Sequence, residues 1–177
     1  MKIIVFDVDE TLGAFFEFSL YCNQIIGNKK LTLQMFTFLL DINPIYLRPN
    51  ILNVLEFIKC KKTKDCKVVM FTNNQGHPSW ITFIKAYFHK KLNFPLFDHV
   101  IYANKFELYR TSDQKSLTDF WKCTNYSTQS TLLFIDDQFH PLMVNPKVTY
   151  LKIEPYKTDT YVDISAYLIH EITLFLN

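Results

Sequence analysis

Two aspartates, Asp7 and Asp9, directly follow an apolar segment near the start of the chain, within the sequence KIIVFDVDETLG. Carboxylates this close repel each other, and burying either of them without a partner costs free energy. A positive group is therefore expected beside them. Carboxylate oxygens are the ligands that Mg²⁺ prefers, and an aspartate in such a place can attack phosphorus and form an aspartyl phosphate.

Further polar residues stand close to other strand-like segments. Thr72 and Asn73 end the second such segment, Asp136 and Asp137 end the fourth, and Lys115 lies upstream of the fourth. Each of these signals is weak alone, because aspartate pairs are common in turns and helix caps. Ligands of an open parallel sheet bind beyond the carboxyl ends of its strands, so we expect the whole set to converge at one site.

The chemistry expected of this set is phosphoryl transfer. A second carboxylic acid, two residues after the nucleophile, can protonate the leaving oxygen and then activate water. The hydroxyl of Thr72 and the ammonium of Lys115 would hold the phosphoryl oxygens while charge shifts in the transition state.

Five short apolar segments, rich in β-branched and aromatic residues, predict the strands. They cover residues 2–6, 67–72, 99–103, 131–136 and 148–153. Helical spacing of apolar residues follows Pro49 and Pro78 and recurs from Lys115 and from Tyr161. The alternation predicts one domain over residues 1–177, a doubly wound α/β fold with a mostly parallel five-stranded sheet flanked by helices.

Residues 14–45 depart from this alternation. They are apolar at near-helical spacing on both sides of Asn28, which predicts a helical hairpin inserted after the first strand. The insert is too short for a full cap domain. It is either a lid over the site or additional core, and we favour additional core.

The composition excludes several classes of protein. Of the 177 residues 49% are hydrophobic and 20% charged, which is typical of a globular domain. The net charge is +2, and Arg48 and Arg110 are the only arginines. The chain therefore has few side chains of the kind that bind the phosphates and base edges of a nucleic acid. The four cysteines form no CxxC pair, and no apolar run is long enough for a membrane span. We therefore expect a reduced, soluble, intracellular protein (cytoplasmic or nuclear) without a membrane partner, and we interpret its five histidines as surface or core residues.

The motif residues resemble, in this order, the four motifs of the haloacid dehalogenase (HAD) superfamily of phosphatases. The chain is most similar to the NLI-interacting-factor-like branch, which includes the small phosphatases of the RNA polymerase II C-terminal domain. The residues that carry this resemblance are Asp7 to Leu12 (DxDETL), Arg48-Pro49 before the second strand, Thr72, Lys115-Ser116-Leu117, Asp136-Asp137 and the following Pro141.

The resemblance implies a role for each matched residue. Asp7 would be the nucleophile and Asp9 the general acid and base, with Thr11 orienting Asp9. Phosphate would be bound by Thr72, with Asn73 beside it, and by Lys115. Mg²⁺ would be held by four residues, namely Asp7, Asp9 (through its main-chain carbonyl), Asp136 and Asp137. The expected substrate is a phosphorylated macromolecule, with phosphoserine or phosphothreonine in protein favoured.

Two departures from the branch keep alternatives open. The stretch Thr72 to Gly76 looks like that of polynucleotide 3′-phosphatases, so a nucleic-acid end phosphatase is the second hypothesis. The helical insert stands where the branch commonly carries a β-hairpin. A non-catalytic phosphate-sensing or interaction module is the third hypothesis, although Asp7, Asp9 and Lys115 are all present.

Overall fold

The five predicted strands form one sheet in the computed structural model, which describes all residues, Met1–Asn177. They are β1 (Lys2–Phe6), β2 (Cys66–Phe71), β3 (His99–Ile101), β4 (Thr131–Asp136) and β5 (Val148–Lys152). Their order in the sheet is β3-β2-β1-β4-β5, and every neighbouring pair runs parallel. Strand β2 ends one residue before Thr72, and β3 is shorter than predicted.

Six α-helices flank the sheet, which confirms the predicted α/β class. They are α1 (Phe15–Ile26), α2 (Leu33–Ile42), α3 (Ile51–Lys61), α4 (Pro78–Leu92), α5 (Leu117–Thr124) and α6 (Ser165–Leu176). Helix α5 begins later than predicted because Ser116 caps it, its hydroxyl accepting a hydrogen bond from the Asp119 amide at 3.1 Å. Lys115 therefore lies outside the helix. None of the helices combines the length and the apolar character that crossing a membrane would require.

Both faces of the sheet are buried, as expected for a parallel sheet between helices. Successive side chains of a strand point to opposite faces. In β1, Ile4 and Phe6 belong to the larger core cluster, which also includes residues of α1–α4 and α6. Ile3 and Val5 belong to a smaller cluster that includes Phe120 of α5. The complete burial of Ile3 to Phe6 makes the carboxyl end of β1 a rigid support for the residues that follow.

The insert forms the predicted helical hairpin, α1 and α2, and its inner face is part of the core. Phe15 and Phe18 of α1 and Phe36 of α2 are fully buried in the larger cluster. The Phe36 ring centroid lies 5.3 Å from that of Phe18 and 5.1 Å from that of Trp80 on α4. The inner face of the hairpin thus packs on α4, and the interpretation of the insert as additional core stays a prediction.

Arg48 ties the loop after β1 to distant parts of the chain. Its buried guanidinium donates to the carbonyl of Thr11 at 2.7 Å, of Glu10 at 2.6 Å and of Glu154 at 2.7 Å. Glu10 has a φ of 58°, an uncommon conformation for a residue with a side chain. These bonds stabilise that strained turn and thereby fix the loop that contains Asp9.

Candidate active site

The predicted site residues meet at the carboxyl ends of three adjacent strands. Asp7 follows β1, Thr72 follows β2 and Asp136 ends β4. Within the sheet, β2 lies next to β1 on one side, and β4, which comes later in the chain, lies next to β1 on the other side. Such a switch point opens a crevice between the loops, and crevices of this kind are where α/β proteins bind ligands.

Lys115 lies at the centre of this crevice and joins two of its carboxylates. Its side chain is 1% exposed, and its Nζ donates to Asp7 Oδ1 and, at 2.7 Å, to Asp136 Oδ2. Burial alone would lower the pKa of Lys115, but the charges of Asp7 and Asp136 outweigh it and raise the pKa. Lys115 is therefore a buried cation held between two aspartates.

Three buried aspartates could together hold a metal ion. Asp7, Asp136 and Asp137 each offer one carboxylate oxygen, and these oxygens lie within 4.8 Å of one another. Burial raises the pKa of Asp7 and of Asp137, and the charge of Asp136 adds to both effects. The pKa of Asp136 is lowered, since the contacts of Lys115, His140 and the Gln138 amide outweigh its burial. With one ammonium for three carboxylates, the site fits a divalent cation.

Asp9 and Thr11 have different partners from those that the resemblance implies. The side chain that hydrogen-bonds Asp9 is Asn74, whose Nδ2 donates to Asp9 Oδ2 at 2.9 Å. The Thr11 hydroxyl instead donates to Asp137 Oδ1 at 3.2 Å. Burial raises the pKa of Asp9, while the Asn74 bond works in the opposite direction. The predicted orientation of Asp9 by Thr11 thus stays a prediction, and the observed contact of Thr11 is with a candidate metal ligand.

Seven of the predicted site residues line one cavity of about 320 Å³. They are Asp7, Asp9, Thr72, Asn73, Lys115, Asp136 and Asp137. A second cavity of about 680 Å³ adjoins it between α1 and the start of α4, and the two share Phe16, Asn74 and Gln75. Phe16 is 63% exposed, so the insert contributes an accessible aromatic ring at the edge of the site. The predicted site residues thus lie beside a cleft that is larger than a phosphate requires.

A family model described as NLI interacting factor-like phosphatase matches residues 2–173. The chain belongs to this family. Comparisons with curated proteins and with solved structures found no match. The match covers all five strands and every residue predicted for the site, and membership of this family implies a HAD-type phosphatase with a phosphorylated substrate.

Sequence reasoning missed three residues that support the site of this phosphatase. Arg110 is buried, and its guanidinium donates to the Thr72 carbonyl at 2.9 Å and to Asn73 Oδ1 at 2.7 Å. His140 is buried with Nε2 at 3.4 Å from Asp136 Oδ2. Asn74 contacts Asp9. Of the three, only Asn74 belongs to a sequence feature noted above, the stretch Thr72 to Gly76 that departs from the NLI-interacting-factor-like branch.

Arg110 also bears on the predicted role of Asn73. Because Asn73 Oδ1 accepts from Arg110, that oxygen holds the loop after β2 in place. The binding of phosphate by Asn73 stays a prediction.

Proposed function

We propose that the protein is a Mg²⁺-dependent phosphatase that works through an aspartyl phosphate on Asp7 and acts on phosphoserine or phosphothreonine in protein. The observation that carries the proposal is Lys115, a buried cation bridging Asp7 and Asp136 in a cavity that Asp9 and Thr72 also line. Such a cation offsets the charge of the nucleophile and of an arriving phosphate together.

In the first step, the Asp7 carboxylate attacks phosphorus and the bond from phosphorus to the ester oxygen breaks. The electron pair stays on that oxygen, which takes a proton from the carboxylic acid of Asp9. In the second step, the Asp9 carboxylate removes a proton from water, whose oxygen attacks phosphorus. The bond between phosphorus and Asp7 then breaks, and inorganic phosphate leaves with Asp9 protonated again.

Other residues of the site would bind the phosphoryl group and the metal. Thr72 and Lys115 would donate hydrogen bonds to phosphoryl oxygens, and Asn73 stands beside Thr72 at the cavity wall. The carboxylates of Asp7, Asp136 and Asp137, with the main-chain carbonyl of Asp9, would hold Mg²⁺. Bound there, Mg²⁺ would neutralise negative charge on the transferred phosphoryl group.

Two observations support a protein substrate. The phosphate cavity continues into the larger cleft beside Phe16, so a substrate can extend well beyond its phosphate. Both arginines are buried, at 2% exposure for Arg48 and 6% for Arg110, and main-chain carbonyls accept hydrogen bonds from each. Neither is available for the bidentate contacts by which arginine reads bases and phosphates, which disfavours a nucleic acid.

The substrate class is tested by measuring phosphate release from three compounds with Mg²⁺ present. We expect turnover of a phosphoserine peptide and of p-nitrophenyl phosphate, and no turnover of a 3′-phosphorylated oligonucleotide. Asp7→Asn provides the blank for each compound. Turnover of the oligonucleotide but not of the peptide would contradict the protein substrate and leave the phosphatase chemistry standing. Absence of turnover with all three would contradict the enzymatic proposal itself.

Metal dependence is tested by chelation and by weakening one ligand. EDTA should abolish phosphate release and added Mg²⁺ should restore it. Asp137→Asn should raise the Mg²⁺ concentration for half-maximal rate at least about tenfold, since a neutral amide replaces a charged ligand. Asp159→Asn, at an exposed position, is the matched control and should leave that concentration unchanged. Full activity in EDTA, or an unchanged Mg²⁺ requirement in Asp137→Asn, would contradict the assigned metal site.

A further inference from the structure

Asn74 is held at both ends of its side chain in the loop between β2 and α4. Its Nδ2 donates to Asp9 Oδ2 at 2.9 Å, and its Oδ1 accepts from the Gly76 amide at 2.9 Å. Its own amide donates to Thr72 Oγ1 at 3.0 Å. The side chain is therefore fixed in the direction of Asp9 by the local turn, and Asp9 meets a preformed donor.

The two oxygens of Asp9 differ in their surroundings. Oδ2 accepts the hydrogen bond from Asn74, whereas Oδ1 is buried and has no hydrogen-bond partner. A neutral carboxylic acid carries its proton on one oxygen and accepts hydrogen bonds on the other. Because the Asn74 amide donates to Oδ2, a proton on Asp9 belongs on Oδ1. Buried polar atoms rarely lack a partner, and a substrate oxygen would supply one.

We propose that Asn74 is a positioning residue, which orients the Asp9 carboxyl so that Oδ1 gives its proton to the ester oxygen. This inference rests on the role of Asp9 in the proposed function. Proton transfer by a positioned acid accelerates a reaction by about 10²–10⁴-fold and requires hydrogen-bond distance to the reacting oxygen. A carboxyl that rotates freely would lose part of this factor, while the attack by Asp7 would remain.

Asn73, the neighbouring asparagine, does not take the place of Asn74 as the hydrogen-bond partner of Asp9. Asn73 directs its Oδ1 to Arg110, away from the Asp9 contact. The loop thus uses its two adjacent asparagines differently, one to anchor the loop and one to contact the acid.

The test uses the dependence of rate on the leaving group, because good leaving groups need little protonation. With Mg²⁺ fixed, kcat/KM is measured for phenyl phosphates whose phenols range from phenol to p-nitrophenol. This quantity reports the steps up to transfer to Asp7. Asn74→Ala should slow phenyl phosphate at least about tenfold more than p-nitrophenyl phosphate. Asn74→Leu should do the same, since leucine is similar in size to asparagine but has no donor for Asp9.

Two further variants make the result specific. In the Asp9→Asn background, Asn74→Ala should add no further dependence on the leaving group, because the group that it orients is gone. Gln75→Ala, the next residue in the same loop, should keep the dependence of the parent enzyme whatever its absolute rate, since Gln75 contacts Asp113 and not Asp9. Circular dichroism verifies that each variant is folded.

The outcomes separate this inference from the proposed function. An equal slowing of all the phenyl phosphates by both Asn74 variants, with a steep dependence in Asp9→Asn, would overturn the positioning role alone. A flat dependence in Asp9→Asn would overturn the role of Asp9 as the acid, and the inference about Asn74 would fall with it.

Discussion

Phosphate release should fall at least about a thousandfold when Asp7 is replaced by asparagine, because the nucleophile of a covalent mechanism is lost and the other groups cannot replace it. The loss should be equal for a phosphopeptide and for p-nitrophenyl phosphate. Because burial raises the pKa of Asp7, keeping it ionised at neutral pH without a metal costs free energy in the folded state. Asparagine removes that cost, so the melting temperature without Mg²⁺ should stay equal or rise.

The matched control is Asp65→Asn, the same chemical change at an exposed position just before β2. It should leave both the rate and the melting temperature unchanged. Retention of more than a few per cent of the parent activity by Asp7→Asn would contradict the aspartyl-phosphate mechanism. A large fall in its melting temperature would instead show that Asp7 is mainly a structural partner of Lys115.

Phe36→Ala should lower the free energy of unfolding by about 3–5 kcal/mol, the usual cost of emptying a buried aromatic site. Phe36 of α2 is fully buried, and its ring packs against rings of two other helices, Phe18 of α1 and Trp80 and Phe83 of α4. The truncation would leave a cavity where the insert meets the rest of the core. Denaturant unfolding measured by circular dichroism gives the change directly.

The same helix supplies the control for this prediction. Phe38 lies two residues further along α2 and is 60% exposed, so Phe38→Ala should change the free energy of unfolding by less than about 0.5 kcal/mol. A loss below about 1 kcal/mol for Phe36→Ala would mean that the hairpin is only loosely attached. In that case its interpretation as additional core would be wrong.

Much of the fold could be predicted from the sequence because its signals are local. Strands such as residues 2–6 and 131–136 are short, apolar and β-branched, which distinguishes them from the helical segments between them. The site followed from one general rule, since polar residues after parallel strands meet at one edge of the sheet. Asp7, Thr72 and Asp136 could therefore be placed together before any distance was known.

The partners of the individual side chains were decided by the tertiary structure. The Thr11 hydroxyl donates a hydrogen bond to Asp137. The side chain that donates a hydrogen bond to Asp9 is that of Asn74, 65 residues away in the sequence. Arg110 donates a hydrogen bond to the carbonyl of Thr72, in the loop after β2, although the two residues are 38 positions apart in the sequence.

The physical reason is that a sequence pattern records which face or end of an element a residue occupies. A hydrogen bond depends instead on the relative placement of two elements to within a fraction of an ångström, and the packing of the whole core determines that placement. The motif order and the converging strand ends thus came from the sequence alone. Which neighbour holds each carboxylate, and how the hairpin of residues 14–45 packs on α4, was decided only when the sheet and its helices packed together.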